Sequence, residues 1–360
     1  MRIAYLLTQD RGGPVDVTVR LATTLAASGE AEVRVFGPAP ARDGELIEGL
    51  HEPVTVAGKT DLKAGRWARD ALRAWQPDVV HAQDRRAGLV SAGLRLRHKV
   101  VQTYHGVPDD VSEAWFRGAA GAEGPSRYTR TVLAADASVA RFVHRTVVPA
   151  PAMGEFLQRR LRVPAHRLAH IDNCVALPEP CPPTGPVRRL LFVGLLVERK
   201  GLATLLDALP GVLPPGGSLT VVGDGPLRVS LEEHARRVLP GRVDFLGFRS
   251  DVPAQLRRHD ALVLPSHLEQ QPLVVAEAMA AGKPVVATDT GGVADMLSDP
   301  ATLAAPGDVE GLAVCLKALF DDPAPGRAGA ALAARARELF APEVCARRHL
   351  ALYREILADA

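Results

Sequence analysis

Pro178-Glu-Pro-Cys-Pro-Pro-Thr-Gly-Pro186 divides a chain of 360 residues almost at its centre. Proline has no backbone N–H and fixes its φ angle, so a segment this rich in proline forms neither a helix nor a central strand. The stretch on each side is long enough for a domain of about 150 residues with its own apolar core. The sequence therefore predicts an N-terminal domain over 1–177, a linker over 178–186, a C-terminal domain over 187–340, and a final helix over 341–360 that crosses back towards the first domain.

Both halves alternate short β-branched runs with amphipathic stretches, which is the pattern of βαβ units around a parallel sheet. The runs are Arg2–Leu7, Ala31–Phe36, Val79–His81, Lys99–Thr103 and Thr146–Val148, then Leu190–Val193, Leu219–Val222, Val243–Leu246, Ala261–Leu264 and Val285–Ala287. We expect an α/β protein with two doubly wound, Rossmann-like domains. Because open parallel sheets bind ligands at the carboxyl ends of their strands, we expect the domains to face each other across a ligand-binding cleft.

The charge balance, the apolar runs and the cysteines exclude several classes of protein. The 43 Lys+Arg residues nearly balance 41 Asp+Glu, so the broad basic surface of a nucleic-acid binder is missing. The longest apolar run, Leu190–Val197, falls well short of the ~20 residues of a membrane-spanning helix, and residues 1–9 are too short for a secretory signal. The four cysteines are scattered and fit no zinc pattern or disulfide framework. We expect a cytoplasmic protein that binds no nucleic acid.

Two glycine turns follow predicted strands. Gly12 and Gly13 follow the first strand, where glycines let backbone amides approach an anion at the start of a helix. Gly223-Asp-Gly-Pro226 follows the strand at 219–222. For both turns the alternative is a tight strand-to-helix connection without a ligand, and neither has the GxGxxG spacing of a dinucleotide site. The glycines alone leave both interpretations open.

The stretch Pro265-Ser-His-Leu-Glu-Gln-Gln-Pro-Leu-Val-Val-Ala-Glu-Ala-Met279 is more informative. It ends a strand and starts a helix with Pro272 in the first turn, where a missing N–H costs little. The amides of Leu273 and Val274 are then available to a phosphate at the positive end of the helix dipole. Glu269 and Glu277 carry carboxylates that can each accept two hydroxyl hydrogen bonds from a sugar or a ribose. The alternative is that Glu269 caps the helix and Glu277 is solvated.

Several motifs in combination resemble one family. They are Glu269-x7-Glu277, the following Ala-Met-Ala-Ala-Gly-Lys-Pro-Val-Val-Ala-Thr-Asp-Thr-Gly-Gly292, Val222-Gly-Asp-Gly-Pro226, Phe245-Leu-Gly247, Val193-Gly194, Lys200-Gly201, Gly12-Gly13, Pro77-Asp-Val-Val-His81 and Tyr104-His-Gly106. This combination resembles the retaining nucleotide-sugar glycosyltransferases of family 4, which have the two-domain GT-B fold. The resemblance covers nearly the whole chain.

The resemblance implies roles for the matching residues. Glu269 would hold hydroxyls of the donor sugar, with its carboxylate exposed in the cleft, and Glu277 would hold the ribose. Lys200 and the Gly13 amide would bind the diphosphate, and His105 the transferred sugar, which makes Glu269, His105 and Lys200 the candidate catalytic residues. Further donor contacts are expected at Gly12, Arg199, Gly223, Gln270, Gln271, Leu273 and Val274, and acceptor contacts at Asp10 and Arg11.

The implied ligands are a nucleotide-sugar donor and a small-molecule, glycan or lipid-linked acceptor. No metal ion or other cofactor is implied, since a lysine and helix amides neutralise the diphosphate. The segment Arg159-Arg-Leu-Arg162 is a solvated face or a peripheral contact with anionic lipid. Trp67 and Trp75, eight residues apart, are predicted to lie on the inner face of one helix.

Some positions depart from the family pattern. Leu195 stands where the family has an arginine beside the diphosphate, and Arg199 is a candidate replacement. The usual Glu-Gly-Phe-Gly reads Glu269-Gln-Gln-Pro272, so Pro272 has no amide to offer and Gln271 brings a polar amide close to the sugar.

We therefore expect a retaining glycosyltransferase that moves a hexosyl unit from a nucleoside diphosphate sugar to an acceptor. One alternative, motivated by Leu195, is a GT-B chain with weakened catalysis that acts as a binding or partner subunit. A second alternative is a GT-B epimerase acting on UDP-N-acetylglucosamine, which matches the segment around Glu269 and Glu277 less well.

Overall fold

A computed structural model describes residues 1–56 and 61–359. They form two compact units: unit 1 comprises Met1–Val175 and Phe340–Ala360, and unit 2 comprises Ala176–Leu339. The end of the chain thus belongs to the same unit as the N-terminal half. The proline-rich segment 178–186 belongs to unit 2.

Unit 1 is built on a parallel sheet with the strand order β3-β2-β1-β4-β5-β6-β7. Its strands are β1 (Arg2–Leu6), β2 (Glu32–Gly37), β3 (His51–Pro53), β4 (Val79–Ala82), β5 (Lys99–Thr103), β6 (Arg145–Val148) and β7 (Leu168–His170). Its helices are α1 (Gly13–Ala27), α2 (Leu62–Trp75), α3 (Arg85–Ala92), α4 (Glu113–Arg117), α5 (Arg127–Phe142), α6 (Pro151–Leu161) and the last helix of the chain, α14 (Pro342–Ala358).

Unit 2 has a second parallel sheet, in the order β10-β9-β8-β11-β12-β13. Its strands are β8 (Arg189–Val193), β9 (Ser218–Val222), β10 (Val243–Gly247), β11 (Ala261–Leu264), β12 (Val285–Thr288) and β13 (Leu303–Ala304). Its helices are α7 (Leu202–Ala208), α8 (Arg228–Val238), α9 (Val252–Arg258), α10 (Leu273–Ala280), α11 (Val293–Leu297), α12 (Val309–Asp321) and α13 (Pro325–Phe340).

The central strands are apolar along their whole length because helices cover both faces of each sheet. In β1, residues 3–6 are fully buried, and Leu6 pairs with Phe36 of β2 on one side and Ala82 of β4 on the other. In β11, Leu262 and Val263 are likewise inaccessible. In each sheet the strand order reverses beside the first strand of the unit, and such a reversal leaves a crevice at the carboxyl ends of the strands.

The proline-rich segment is held beside the end of α10 by two hydrogen bonds to the Cys181 backbone. The Cys181 N–H donates to the Ala281 carbonyl at 2.9 Å, and the Lys283 ammonium donates to the Cys181 carbonyl at 2.5 Å. Gly282, two residues after the end of α10, has a φ of +74°, and a Cβ there would lie 3.1 Å from the Pro180 ring. The segment therefore packs closely against the end of α10.

The ten predicted runs all coincide with strands, although their ends differ by one residue in places. Three further strands, β3, β7 and β13, were missed. Each is only two or three residues long and lies at an edge of its sheet, so it needs no apolar run to fill a core. Edge strands of this length leave little periodicity in a sequence.

The prediction for the two tryptophans of α2 is half wrong. Trp75 is 8% exposed and packs in the core of unit 1, whereas Trp67 is 55% exposed. Eight residues correspond to about 80° of rotation around a helix with 3.6 residues per turn, which is enough to place the two side chains on different faces.

A chain of buried polar side chains connects α14 to the sheet of unit 1. The Tyr353 hydroxyl lies 2.9 Å from the Tyr5 hydroxyl and 2.6 Å from His81 Nδ1, and His81 Nε2 lies 2.8 Å from the Thr103 hydroxyl. His349, one turn before Tyr353, is 4% exposed and donates from Nδ1 to the Cys345 carbonyl at 2.9 Å. Burial lowers the pKa of His349 to about 4 and holds that of His81 well below its ordinary value. Both rings are therefore neutral at pH 7.

We expect the buried histidines to make the stability of unit 1 sensitive to acid. Because the folded-state pKa of His349 is lowered, only the unfolded chain takes up its proton below the ordinary value of about 6.5, so stability falls as the pH drops from there towards 4. Within that range one such histidine contributes about 1.4 kcal/mol per pH unit. His349→Gln should reduce the pH slope of the unfolding free energy by about one proton, measured by urea denaturation between pH 7 and 4.5.

The exposed His166 provides the control, since its glutamine variant should keep the wild-type slope. An unchanged slope in the His349 variant would show that this ring accepts a proton in the folded protein.

Candidate functional site

Four loops follow neighbouring strands of unit 2 and meet at the carboxyl edge of its sheet. They are residues 194–200 after β8, 223–226 after β9, 265–272 after β11 and 289–292 after β12. The first two are joined by backbone hydrogen bonds, from Gly194 N–H to the Val222 carbonyl at 3.0 Å and from Leu196 N–H to the Asp224 carbonyl at 2.9 Å. The carboxyl edge of a parallel sheet is where such folds bind ligands.

Three glycines allow these loops to pack backbone against backbone. A Cβ on Gly223 would lie 1.9 Å from the Gly194 carbonyl oxygen, and one on Gly201 would lie 1.9 Å from the Pro265 carbonyl oxygen. A Cβ on Gly291 would lie 1.7 Å from the Glu269 carbonyl oxygen. All three glycines also have positive φ angles. No other residue type fits these positions without moving the backbone.

Lys200 and Glu269 form an ion pair where the first and third loops touch. The Lys200 ammonium donates to Glu269 Oε1, and the Ser266 hydroxyl donates to the same oxygen at 2.9 Å. Glu269 is 7% exposed, Ser266 is fully buried, and the Lys200 side chain is 18% exposed. The sequence prediction that the Glu269 carboxylate is exposed is therefore wrong, because the loop folds it inward onto a cation.

The surroundings keep Glu269 ionised. Burial alone would raise its pKa, but the positive charges of Lys200 and Arg199 and the hydrogen bonds from Lys200 and Ser266 together lower the pKa below its ordinary value. A buried carboxylate is normally neutralised unless charges of the opposite sign compensate the loss of water. The site thus holds a fixed negative charge beside a fixed positive charge.

The loop that carries Glu269 is held on its other side by the loop after β12. The Glu269 N–H donates to the Thr290 hydroxyl at 3.1 Å, and the Gly292 N–H donates to the Gln270 carbonyl at 2.8 Å. Sequence reasoning missed the supporting roles of Ser266 and Thr290. The available signal was their position, since each hydroxyl stands just after a predicted strand on adjacent loops.

Helix α10 starts directly after this loop. Pro272 is the cap residue that precedes the helix, so its predicted place in the first turn is off by one position. Leu273 and Val274 are the first two helical residues, and backbone amides there have no acceptor within the helix. Glu277 lies one turn further along and is half-buried. The amides and the dipole of α10 favour an anion at this end.

The positions that depart from the family pattern differ in their exposure to solvent and in their contacts. Leu195 is 58% exposed. The Arg199 guanidinium donates to the Leu268 carbonyl at 2.8 Å, so it supports the loop that carries Glu269. Gln270 and Gln271 are buried, at 7% and 8% exposure. The loop after β11 therefore buries two glutamine side chains where the family pattern has a glycine and a phenylalanine.

The glycine turn of unit 1 follows β1. Gly12 has a φ of +99°, a conformation that favours glycine, and it precedes the first residue of α1, Gly13. Its carbonyl accepts hydrogen bonds from Val15 and Asp16. Arg11 makes a two-point ion pair with Asp10, at 3.1 and 3.0 Å, and both side chains are well exposed.

His105 follows β5 and lines a cavity of about 190 Å³ in unit 1. Its Nε2 lies 3.2 Å from the side-chain oxygen of Gln83, which follows β4. Burial, together with the nearby His349, lowers the pKa of His105 to about 4. The ring is therefore neutral at pH 7 and can bind a hydroxyl group without carrying charge. Gln83 was not among the predicted site residues.

Two arginines of the segment Arg159-Arg-Leu-Arg162 bind backbone carbonyls within unit 1. Arg159 and Arg160 donate to the carbonyls of Arg117 and Trp115, so both support the packing of α6 beside α4. In residues 1–56 and 61–359, no group of three or more His, Cys, Asp and Glu side chains is placed to hold a metal ion. Over the same residues, no helix has the length and apolar character needed to cross a bilayer.

Two sequence profiles match the chain. "Glycosyltransferase Family 4" matches residues 11–178, and "Glycosyl transferases group 1" matches residues 187–322. Glycogen synthase of Mycobacterium tuberculosis is 33% identical over 267 residues, which are 70% of this chain and 62% of that protein. The 2-deoxystreptamine glucosyltransferase of Streptomyces kanamyceticus is 36% identical over 231 residues, 59% of this chain and 54% of that protein. The chain thus spans less than two thirds of the length of these relatives.

Two solved structures share the fold over the whole chain. HepE from Anabaena, in complex with UDP and glucose, aligns with a TM-score of 0.80 at 22% identity, covering 99% of this chain and 100% of that chain. Sucrose-phosphate synthase from Thermosynechococcus elongatus aligns with a TM-score of 0.81 at 24% identity, covering 100% of both chains. The GT-B fold of two Rossmann-like halves, expected from the sequence, is confirmed.

We expect Lys200 and Glu269 to be strongly coupled in stability. Glu269→Gln alone leaves an unpaired cation, and Lys200→Met alone leaves a buried unpaired carboxylate, so each single variant should be clearly destabilised. The double variant should recover part of the loss, with a coupling free energy of about 1–3 kcal/mol. Urea denaturation of the four proteins gives this value directly.

The exposed pair Lys317 and Asp321 on α12 is the matched control, since both side chains are 64% exposed. Its double-mutant cycle should give no more than about 0.5 kcal/mol. Equal coupling in the two cycles would mean that burial adds nothing to the Lys200–Glu269 pair.

Proposed function

The chain belongs to the family 4 glycosyltransferases of GT-B fold, and we propose that it is a retaining enzyme that transfers a hexosyl unit from a nucleoside diphosphate sugar to an acceptor. The observation that carries this proposal is the Lys200–Glu269 ion pair beside the start of α10. It combines the three elements that such a donor needs: a cation and helix amides for a diphosphate, and a carboxylate for sugar hydroxyls.

The charges of the site suit the proposed reaction. As the bond from the anomeric carbon to the diphosphate breaks, positive charge grows on the sugar ring and negative charge on the departing phosphate. Lys200 and the amides of Leu273 and Val274 would stabilise that phosphate more in the transition state than in the ground state. The acceptor oxygen bonds to the same face of the anomeric carbon, and its proton passes to the departing phosphate. No metal ion takes part in this proposal, because the lysine and the amides neutralise the diphosphate.

Similar proteins supply the first donor to test. One relative is named a glycogen synthase, another is named a 2-deoxystreptamine glucosyltransferase, and HepE was solved with UDP and glucose. We therefore propose a uridine nucleotide and a glucose-like sugar as the starting point for donor screening. In unit 1, the neutral His105 is the residue that we propose for contact with the transferred sugar, and Asp10 and Arg11 are proposed for the acceptor.

The alternative of a catalytically weakened partner subunit rests on Leu195. The exposed leucine brings no charge, and Arg199 is engaged with the Leu268 carbonyl, so Lys200 would act on the diphosphate with less help than the family pattern provides. Weak binding of the diphosphate would lower the rate of turnover without abolishing it, so turnover measurements distinguish a weak enzyme from an inactive partner subunit. We favour the enzyme because Lys200, Glu269 and the free amides of α10 are all in place.

Turnover with a panel of nucleotide sugars tests the proposal. The wild-type protein should release nucleoside diphosphate from at least one of UDP-glucose, UDP-galactose, UDP-N-acetylglucosamine and GDP-mannose when varied acceptors are present, and chelation by EDTA should not stop it. Lys200→Met and Glu269→Gln should each lower kcat/KM by about 10–150-fold, equivalent to ~1.5–3 kcal/mol for a charged hydrogen bond. The exposed Lys317→Met should match the wild type.

Analysis of the product distinguishes the alternatives. An unchanged anomeric configuration in the product supports retention, whereas an isomerised sugar without transfer indicates the epimerase. Tight nucleotide binding without turnover under all conditions would contradict the enzyme and favour the partner subunit.

A second prediction concerns Leu195. Leu195→Arg adds a cation to a loop whose backbone is fixed by the hydrogen bond from Val197 to the Leu195 carbonyl. A charge pair at ~4 Å with an effective dielectric of ~20 gains about 4 kcal/mol before desolvation. We expect about ten-fold tighter UDP binding by calorimetry, with a stronger salt dependence than wild type. Leu195→Gln is the uncharged control. Unchanged affinity in the arginine variant would place the diphosphate away from this loop.

A further inference from the structure

The side-chain amide of Gln270 is buried without a hydrogen-bond partner. The residue is 7% exposed, and neither its oxygen nor its nitrogen has a partner among residues 1–56 and 61–359. Within that part of the chain, Gln270 alone buries two unpaired polar atoms of one side chain. Burying an amide without hydrogen bonds costs free energy, so such a group calls for an explanation.

A loose loop does not account for the unpaired amide. The Gln270 carbonyl accepts from Gly292, the preceding residue Glu269 is bound through both its backbone and its carboxylate, and Gly291 packs directly against the Glu269 carbonyl. The backbone of the loop is therefore fixed on both sides of the side chain.

Two other buried glutamines donate hydrogen bonds from their side-chain amides, and a third, Gln83, has a partner for its oxygen but none for its nitrogen. Gln255, 3% exposed, donates to Asp251 at 3.1 Å, and Gln102, 6% exposed, donates to Thr146 at 3.0 Å. In each case a partner within the protein compensates the loss of water. Gln270 lacks that compensation, yet it stands next to Glu269 and three residues before the start of α10.

We propose that the Gln270 amide is a specificity determinant that binds two adjacent hydroxyl groups of the transferred sugar. This inference rests on the proposed function, since it assigns a sugar to the same loop. An amide offers an acceptor and a donor side by side, so one hydroxyl donates to the oxygen while its neighbour accepts from the nitrogen. A vicinal diol is the sugar group that satisfies both atoms at once.

The amide selects differently from the carboxylate beside it. Ionised Glu269 only accepts hydrogen bonds, and Lys200 and Ser266 already donate to it. Any sugar hydroxyl within reach can therefore become a further donor to this carboxylate. Gln270 requires one hydroxyl to donate and its neighbour to accept. A deoxy sugar leaves one end of the amide buried and unpaired, and sites built around a hydroxyl reject such analogues strongly. Gln270 would thus read the hydroxyl pattern while Glu269 and Lys200 supply charge.

The test compares Gln270→Leu with Gln255→Leu. The panel of nucleotide sugars first identifies the donor that the wild-type protein turns over fastest. The 2-, 3- and 4-deoxy forms of that donor are then compared with the parent by kcat/KM in each protein, and UDP or the matching nucleoside diphosphate alone is titrated by calorimetry. Urea denaturation without nucleotide measures the stability of all three proteins.

We expect Gln270→Leu to bind the nucleoside diphosphate as wild type does and to lose about ten-fold or more in kcat/KM with the parent sugar. For the two deoxy forms that each lack one hydroxyl of a neighbouring pair, the ratio of kcat/KM for the parent sugar to kcat/KM for the deoxy form should fall towards one. Without nucleotide, Gln270→Leu should be at least as stable as wild type, because it loses no hydrogen bond. Gln255→Leu should be less stable, because it loses the bond to Asp251, and it should keep the wild-type sugar preference.

An unchanged preference for the parent sugar in Gln270→Leu would overturn the inference, as would a destabilisation like that of Gln255→Leu, which would indicate a structural role. Failure of the wild-type protein to bind or turn over any nucleotide sugar would instead refute the proposed function itself. The two failures are distinguishable because the second is seen before any variant is made.

Discussion

The buried ion pair between Lys200 and Glu269 is the constraint around which unit 2 is arranged. A carboxylate at 7% exposure persists as an ion only where a cation and hydrogen-bond donors compensate the lost water, and here Lys200 and Ser266 do so at one oxygen. The lysine belongs to the loop after β8 and the carboxylate to the loop after β11, so both loops must touch. That contact is backbone against backbone at Gly201 and Pro265, which explains why a glycine follows the lysine directly.

The ion pair also determines how a donor would act on the site. In the proposed function, a diphosphate would compete with Glu269 for the Lys200 ammonium, so its binding would require other donors to satisfy the carboxylate. Ser266 would remain as one donor, and sugar hydroxyls would provide the others. In the proposed reaction, binding of the diphosphate and of the sugar are therefore coupled through one pair of side chains.

Sequence patterns predicted the strands whose side chains fill the cores of the two sheets, and they missed the strands that contribute little to a core. The apolar runs gave the ten strands that fill the two sheets, whereas β3, β7 and β13 are short edge strands with little core to fill. For the site, motif resemblance selected Lys200 and Glu269, but spacing along a chain carries no information on depth. Glu269 was therefore predicted to be exposed when it is buried. Ser266 and Thr290 were overlooked because their role depends on two loops that are distant in sequence meeting in space.

The departures at Gln270, Gln271 and Pro272 fall on the loop after β11, whereas Leu195 lies on the loop after β8. Gln270 stands where the family pattern has a glycine and Gln271 where it has a phenylalanine, so the first change adds side-chain volume and both add polarity next to Glu269. The glycine contacts of Gly201 with Pro265 and of Gly291 with Glu269 keep the backbone of the loop in place. Arg199 supports the same loop through the Leu268 carbonyl, and no charge is added at Leu195. Under the two proposals, the Gln270 amide would recognise sugar hydroxyls, while Lys200 would remain the cation that acts on the diphosphate. Changes on this loop would then alter which sugar fits more than whether a nucleotide binds.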